Sequence, residues 1–211
     1  WNHPERGYIR PEEFLPLCET MGLMKNIGYR VIEKACTALN WLQEQKLADI
    51  DIAVNVSFSQ FQDVRFAQVV QDIVKKSGID PSRLEFELTE STVLKCPDDA
   101  KKRMDELKEQ GHSFSLDDFG TGFSQLSHMT ALPISALKID RSFVIDVAQD
   151  KHQQAVCMMI IDMARHLGMV VIAEGAEDME QVEFLASIHC QQVQGFYYSP
   201  AIPLQNLPRF V

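Results

Sequence analysis

The chain has 211 residues, 45% hydrophobic and 24% charged, with a formal net charge of −10 at pH 7. That is the balance of a globular chain with room for one sizeable core, and it leaves no basic footprint for unselective binding to DNA or an anionic membrane. Five scattered cysteines without a C-x-x-C pair (Cys18, Cys36, Cys96, Cys157, Cys190) suit a reduced, cytoplasmic setting, and no run is apolar enough to span a bilayer.

The first predicted element is a helix over 25–45, with Ile27, Val31, Ala35, Leu39 and Leu42 on one face. "DIAVNVSF" (51–58) reads as a buried strand. "FAQVVQDIVKKSG" (66–78) reads as a helix stopped by Gly78, and "RLEFELTE" (83–90) as a strand. The next helix, "PDDAKKRMDELKEQG", carries Pro97 near its first turn and Gly111 just past its end. "SFSLDD" (113–118) is a strand followed by a short helical piece. Then come the strand "ISALKID" (134–140), a helix over 150–168, the strand "MVVIAEG" (169–175), a helix over 178–190 and a last strand in "QQVQGFYY" (191–198). The phenylalanines Phe119, Phe123 and Phe143 and the pair Met158–Met159 are assigned to the core. "FYYSPAIP" is expected to close the barrel, with Tyr197 or Tyr198 available to stack on a base.

Repeated strand-then-helix units imply a parallel sheet with helices outside it. Each strand carries a polar or charged residue near its C-terminal end: Asn55, Glu87, Asp117, Lys138, Glu174 and Gln194. A charge in a buried strand is costly unless coordinated. Six such positions from six units argue for convergence on one face of a TIM-type (β/α)8 barrel, with residues 1–211 forming one α/β domain. The Gly-Thr-Gly at 120–122 lacks the third glycine of a dinucleotide fingerprint and follows two aspartates, which argues against a Rossmann reading.

Asn55, Glu87, Asp117, Asp118 and Glu174 together offer hard oxygen donors and no sulfur, a set suited to Mg2+ or Mn2+. Two ions would need a shared carboxylate, for which Asp117 is the natural bridge, and the cations would offset the repulsion between Asp117 and Asp118. Lys138 among these acids reads either as a proton acceptor, with a pKa depressed by nearby metal ions, or as a plain salt-bridge partner. The acids are too many, and accompanied by an Asn and a Lys, for a two-carboxylate glycosidase.

The order of the motifs "WNHPERGYIRPEEFLPLCETMG", "NVS", "ELTES", "DDFGTGFSQL", "LKIDRSFV", "AEGAED" and "QGFYYSPAIP" resembles the EAL-domain family of cyclic di-GMP phosphodiesterases. The resemblance implies a modified TIM-type barrel that hydrolyses cyclic di-GMP to linear pGpG with two Mg2+ or Mn2+ ions, Ca2+ being inhibitory. It implies Asn55, Glu87, Asp117, Asp118 and Glu174 as metal ligands and Lys138 as the base or the residue orienting the water. Glu90 would steady the loop after the paired aspartates, Asp140 and Glu177 would sit at the substrate site, and Gln194 would lie near the attacking water. It further implies a homodimer formed near the "DDFGTG" loop, and sensory or diguanylate-cyclase-like domains elsewhere in a parent protein that is compatible with a membrane anchor. The family's Glu-Ala-Leu motif, on a first strand ahead of the Trp that starts "WNHP", does not occur in this chain. The expectation is that the parent protein supplies it. A degenerate residue there would instead imply a receptor that binds cyclic di-GMP and signals through a partner domain.

Overall fold

The computed structural model describes residues 1–95, 97–120 and 130–210. A small antiparallel hairpin, β1 (Asn2–His3) and β2 (Gly7–Tyr8), opens the chain. Two helices follow, α1 (Pro11–Thr20) and α2 (Met24–Glu44). The frame is a parallel sheet of β3 (Ile52–Asn55), β4 (Leu84–Thr89), β5 (Ser113–Phe119), β6 (Ala136–Ile139), β7 (Val170–Glu174) and β8 (Gln192–Gln194). Helices α3 (Phe58–Phe61) and α4 (Phe66–Ser77) connect β3 to β4, and α5 (Glu90–Leu94) and α6 (Pro97–Glu109) connect β4 to β5. Between β6 and β7 run α7 (Arg141–Val144) and α8 (Lys151–His166), and α9 (Met179–Ser187) precedes β8.

The six strands are hydrogen-bonded in chain order. A doubly wound sheet reverses its order at a switch point, whereas a barrel keeps winding one way. The predicted barrel is therefore present as an arc of parallel staves, with β3 and β8 at its edges. "FYYSPAIP" does not join those edges: it runs as a turn beyond β8, and Phe196 and Tyr198 are exposed.

Strand alternation sorts the side chains. Leu84, Phe86 and Leu88 of β4, Phe114 and Leu116 of β5, Leu137 and Ile139 of β6, and Val171 and Ala173 of β7 are buried against the helices. An aromatic chain runs through this layer, with Phe61 edge-on to Phe66, Phe66 edge-on to Phe86, and Phe86 tilted on Phe114 at 6.0 Å. Each such ring contributes about 1.5–3 kcal/mol by leaving water. The other face carries Glu85, Glu87, Ser113, Ser115, Asp117, Ala136, Lys138, Glu174 and Gln194, and it becomes more acidic toward the C-terminal strand ends.

The helix stops act as the sequence suggests. Gly78 closes α4 in the left-handed region (φ 73°). Asp178 and Gln181 form a reciprocal capping box at the start of α9. Two core assignments need correction. Val31 is 42% exposed, because the buried stripe of α2 is Ile32, Ala35, Cys36, Leu39 and Leu42. That stripe follows the helical period through Cys36, which the face beginning at Ile27 leaves out. Met158 and Met159 are also exposed, since α8 turns Cys157, Ile160, Ile161 and Ala164 to the sheet. A single helix offers one such stripe, and the methionines lie beside it. Phe119 is core, Phe143 packs against the core, and Phe123 lies outside the described residues. The helical piece expected after "SFSLDD" also falls within 121–129 and is not described.

Candidate active site

Lys138 is the centre of the polar face. Its side chain is 5% exposed, and Nζ donates to Glu87 Oε1 at 2.6 Å and pairs with Glu174 Oε1 at 2.7 Å and Asp117 Oδ1 at 3.5 Å. Glu87 stands on β4 and Glu174 on β7, three strand spacings apart, which is about 14 Å across a flat sheet. Both touch one ammonium group, so the sheet is curled and its strand ends converge. Asn55 on β3 adds its amide, with Nδ2 donating to Glu87 Oε2 at 2.9 Å. Gln194 on β8 lies opposite Glu174 in the ladder.

These groups set one another's protonation. Burial alone would lower the Lys138 pKa, but the hydrogen bonds to Glu174 and Glu87 outweigh it and raise the pKa above the ordinary lysine value. In this arrangement Lys138 forms ion pairs with Glu87 and Glu174. Burial pushes the Glu174 carboxyl up, opposed by Lys138. Asp118 is likewise raised, first by burial and then by the charges of Asp117 and Asp140. Its backbone is left-handed (φ 56°), a conformation that Asp tolerates, and its N–H donates to Asp117 Oδ1 at 3.0 Å.

Three of the site-bearing strands run into short helices that the sequence reading passed over. Ser57, Thr89 and Asp140 each cap one, accepting hydrogen bonds from the N–H groups of Gln60, Thr92 and Ser142. Asp140 Oδ1 is engaged in that cap, beside Asp118 but with its partner on α7. Glu90 opens α5. It is 6% exposed, and neither carboxylate oxygen has a hydrogen-bond partner among the described residues. The loop it is expected to steady extends into 121–129, outside the described residues. Glu177 is half-exposed and paired with Arg141 at 2.5 Å.

Beside Glu174 lies a cavity of about 230 Å3 lined by Arg141, Glu174, Gly175, Glu177, Gln194, Gly195 and Phe196. Arg141, Gly175 and Phe196 were not singled out from the sequence. The signal that could have found them is adjacency, since Arg141 follows the Asp140 cap and Gly175 follows Glu174.

The donor set suits hard divalent cations. Asn55, Glu87, Asp117, Asp118 and Glu174 all present oxygen, and three of the carboxylates already converge on a single positive nitrogen. Among the described residues, no three His, Cys, Asp or Glu side chains are gathered closely enough to hold an ion unaided. Lys138 stands in their midst.

A family model described as the EAL domain matches residues 1–201. The chain belongs to the EAL domain family. A bifunctional diguanylate cyclase/cyclic di-GMP phosphodiesterase of Pseudomonas aeruginosa, MucR, is 37% identical over 98% of this chain, which spans 30% of that protein. The cyclic di-GMP phosphodiesterase PdeL of Escherichia coli is 32% identical over 96% of this chain, which spans 56% of PdeL. Among solved structures, the MucR phosphodiesterase in complex with c-di-GMP superposes with a TM-score of 0.94 at 37% identity, covering 98% of this chain and 84% of that one. The EAL chain therefore spans about a third to just over half of these two curated relatives. Among the described residues, no helix is long and apolar enough to cross a membrane.

Proposed function

We propose that the protein is a metal-dependent phosphodiesterase that opens cyclic di-GMP to linear pGpG. The observation that carries this reading is the convergence of Glu87, Asp117 and Glu174 from three separate strands on buried Lys138. The names of the EAL relatives support it. Two Mg2+ or Mn2+ ions held by Asn55, Glu87, Asp117, Asp118 and Glu174 would supply Lewis-acid stabilisation of charge at the phosphate. Ca2+, with looser coordination, would occupy the same oxygens and inhibit.

The chain's own groups divide the remaining work. Lys138, within reach of Glu87, Glu174 and Asp117, is the group that would deprotonate or orient the attacking water. Gln194, opposite Glu174 in the ladder and lining the cavity beside it, would hold its amide near the attacking water. Glu177 lines the neighbouring cavity with Arg141, where the rest of the dinucleotide would lie. In the parent protein we place sensory or diguanylate-cyclase-like domains outside this chain, a cytoplasmic location, and dimerisation near the "DDFGTG" loop.

The test is chromatography of cyclic di-GMP incubated with the protein and Mn2+. Linear product from the wild type, falling about 10²-fold or more in Lys138→Ala, is the expected result. Undiminished cleavage by that variant would remove Lys138 from the mechanism. A wild type that binds the cyclic dinucleotide without cleaving it would be a receptor instead.

A further inference from the structure

The three residues after Glu174 each hold a different part of the site together. The first is Gly175, in the left-handed region at φ +78°, with the Arg141 stem lying across it; a Cβ there would come within 2.3 Å of Arg141 Cγ. Ala176 is the second. Its N–H donates to the carbonyl of Gln194 at 3.2 Å, and its carbonyl accepts from the Tyr197 N–H at 3.0 Å. A Cβ at Gly195 would lie 2.0 Å from the Ala176 carbonyl oxygen, so the two backbones are in direct contact. The third is Glu177, whose carboxylate takes the Arg141 guanidinium at 2.5 Å while its N–H donates to Gln181 Oε1 at 2.6 Å. Gln181, 4% exposed, returns its Nε2 to the carbonyl of Ile145 at 2.7 Å. Both ends of α7 are thereby tied to the segment 175–177.

We propose that Arg141 is a positioning residue. With Glu177 it forms a strut that holds Glu174 on β7 and Gln194 on β8 in register with Lys138 on β6. The pair is half-exposed on both sides, at 54% and 42%, so it adds little to global stability. Its location makes it matter locally. Arg141 starts three residues after Lys138, its stem crosses the residue after Glu174, and its partner sits one residue beyond the backbone contact with Gln194. A shift of about 1 Å at a reacting group can cost as much as 10²-fold in rate.

The test compares Arg141→Ala, Arg141→Lys and the charge swap Arg141→Glu with Glu177→Arg, in two arms. The kinetic arm rests on the proposed hydrolysis, and the hydrogen-exchange arm does not. In Arg141→Ala, amide exchange over 174–178 should rise about tenfold while Phe86 and Phe114 stay protected. In the same variant kcat should fall about tenfold, more than KM changes, with partial recovery in Arg141→Lys; the swap, which alters Glu177 in the proposed substrate cavity, is read by exchange alone and should restore protection at 174–178. Exchange unchanged at 174–178 would overturn the strut. So would a rise in KM with kcat unchanged, which would make Arg141 a substrate contact. If the wild type hydrolyses nothing, the proposed reaction fails, and the exchange arm alone decides for or against the strut.

Discussion

Lys138 is a buried ammonium shared by three carboxylates, and removing it should be costly. Lys138→Met leaves Glu87, Glu174 and Asp117 together with no countercharge. Breaking a buried pair in this way destabilises by about 3–5 kcal/mol. Urea unfolding in chelator should show that loss, and added Mn2+ should recover part of it by binding the folded state. Asp118 gives a prediction with a definite sign. Its folded pKa is raised, first by burial, so ionisation works against the folded state. The stability it contributes is present below its unfolded pKa, about 3.9, and is lost as pH rises through the folded value. Metal-free Asp118→Asn, which keeps a residue tolerant of the left-handed turn, should match the wild type near pH 3 and be the more stable of the two at pH 7. Equal stability at both pH values would contradict the raised pKa. At this scale the sequence was legible wherever a charge interrupted an apolar strand, as at Glu87, Asp117, Lys138 and Glu174. Arg141 was not legible, because an arginine after a strand end reads as an ordinary surface charge until its stem is seen crossing Gly175.

The strands of the sheet and the helices longer than about one turn, α1 excepted, were readable from period and punctuation; the short helices were not. The helix over 66–78 ends at Gly78 and the helix over 97–111 starts at Pro97, as their end signals indicate. Helices α3, α5 and α7, of four or five residues, are too short to show a period, so only the caps Ser57, Thr89 and Asp140 mark them. The hairpin of β1 and β2 and helix α1 lacked an apolar pattern strong enough to register; α1 buries no residue. The outer layer of the sheet has its own test. Phe86 is fully buried between Phe66 and Phe114, and Phe86→Ala should cost about 3–5 kcal/mol in denaturant unfolding. A cost under 1 kcal/mol would mean that β4 is not central to the core.

For the whole molecule, winding direction was the legible property and edge behaviour was not. Six strands with polar C-terminal ends, the first five each followed by a helical piece, were enough to choose a barrel over a doubly wound sheet, and the chain-order pairing agrees. Whether β3 and β8 would pair depends on curl and neighbours, which residue patterns do not encode. The curl brings β4 and β7 to one ammonium, the arrangement on which the proposed chemistry depends. That convergence of oxygen donors is the proposed cage for divalent cations. The most direct measurement is anomalous scattering from crystals of the protein grown with Mn2+ and cyclic di-GMP. Two manganese peaks among Asn55, Glu87, Asp117, Asp118 and Glu174 are predicted, and dinucleotide bound with no manganese at those side chains would contradict the account.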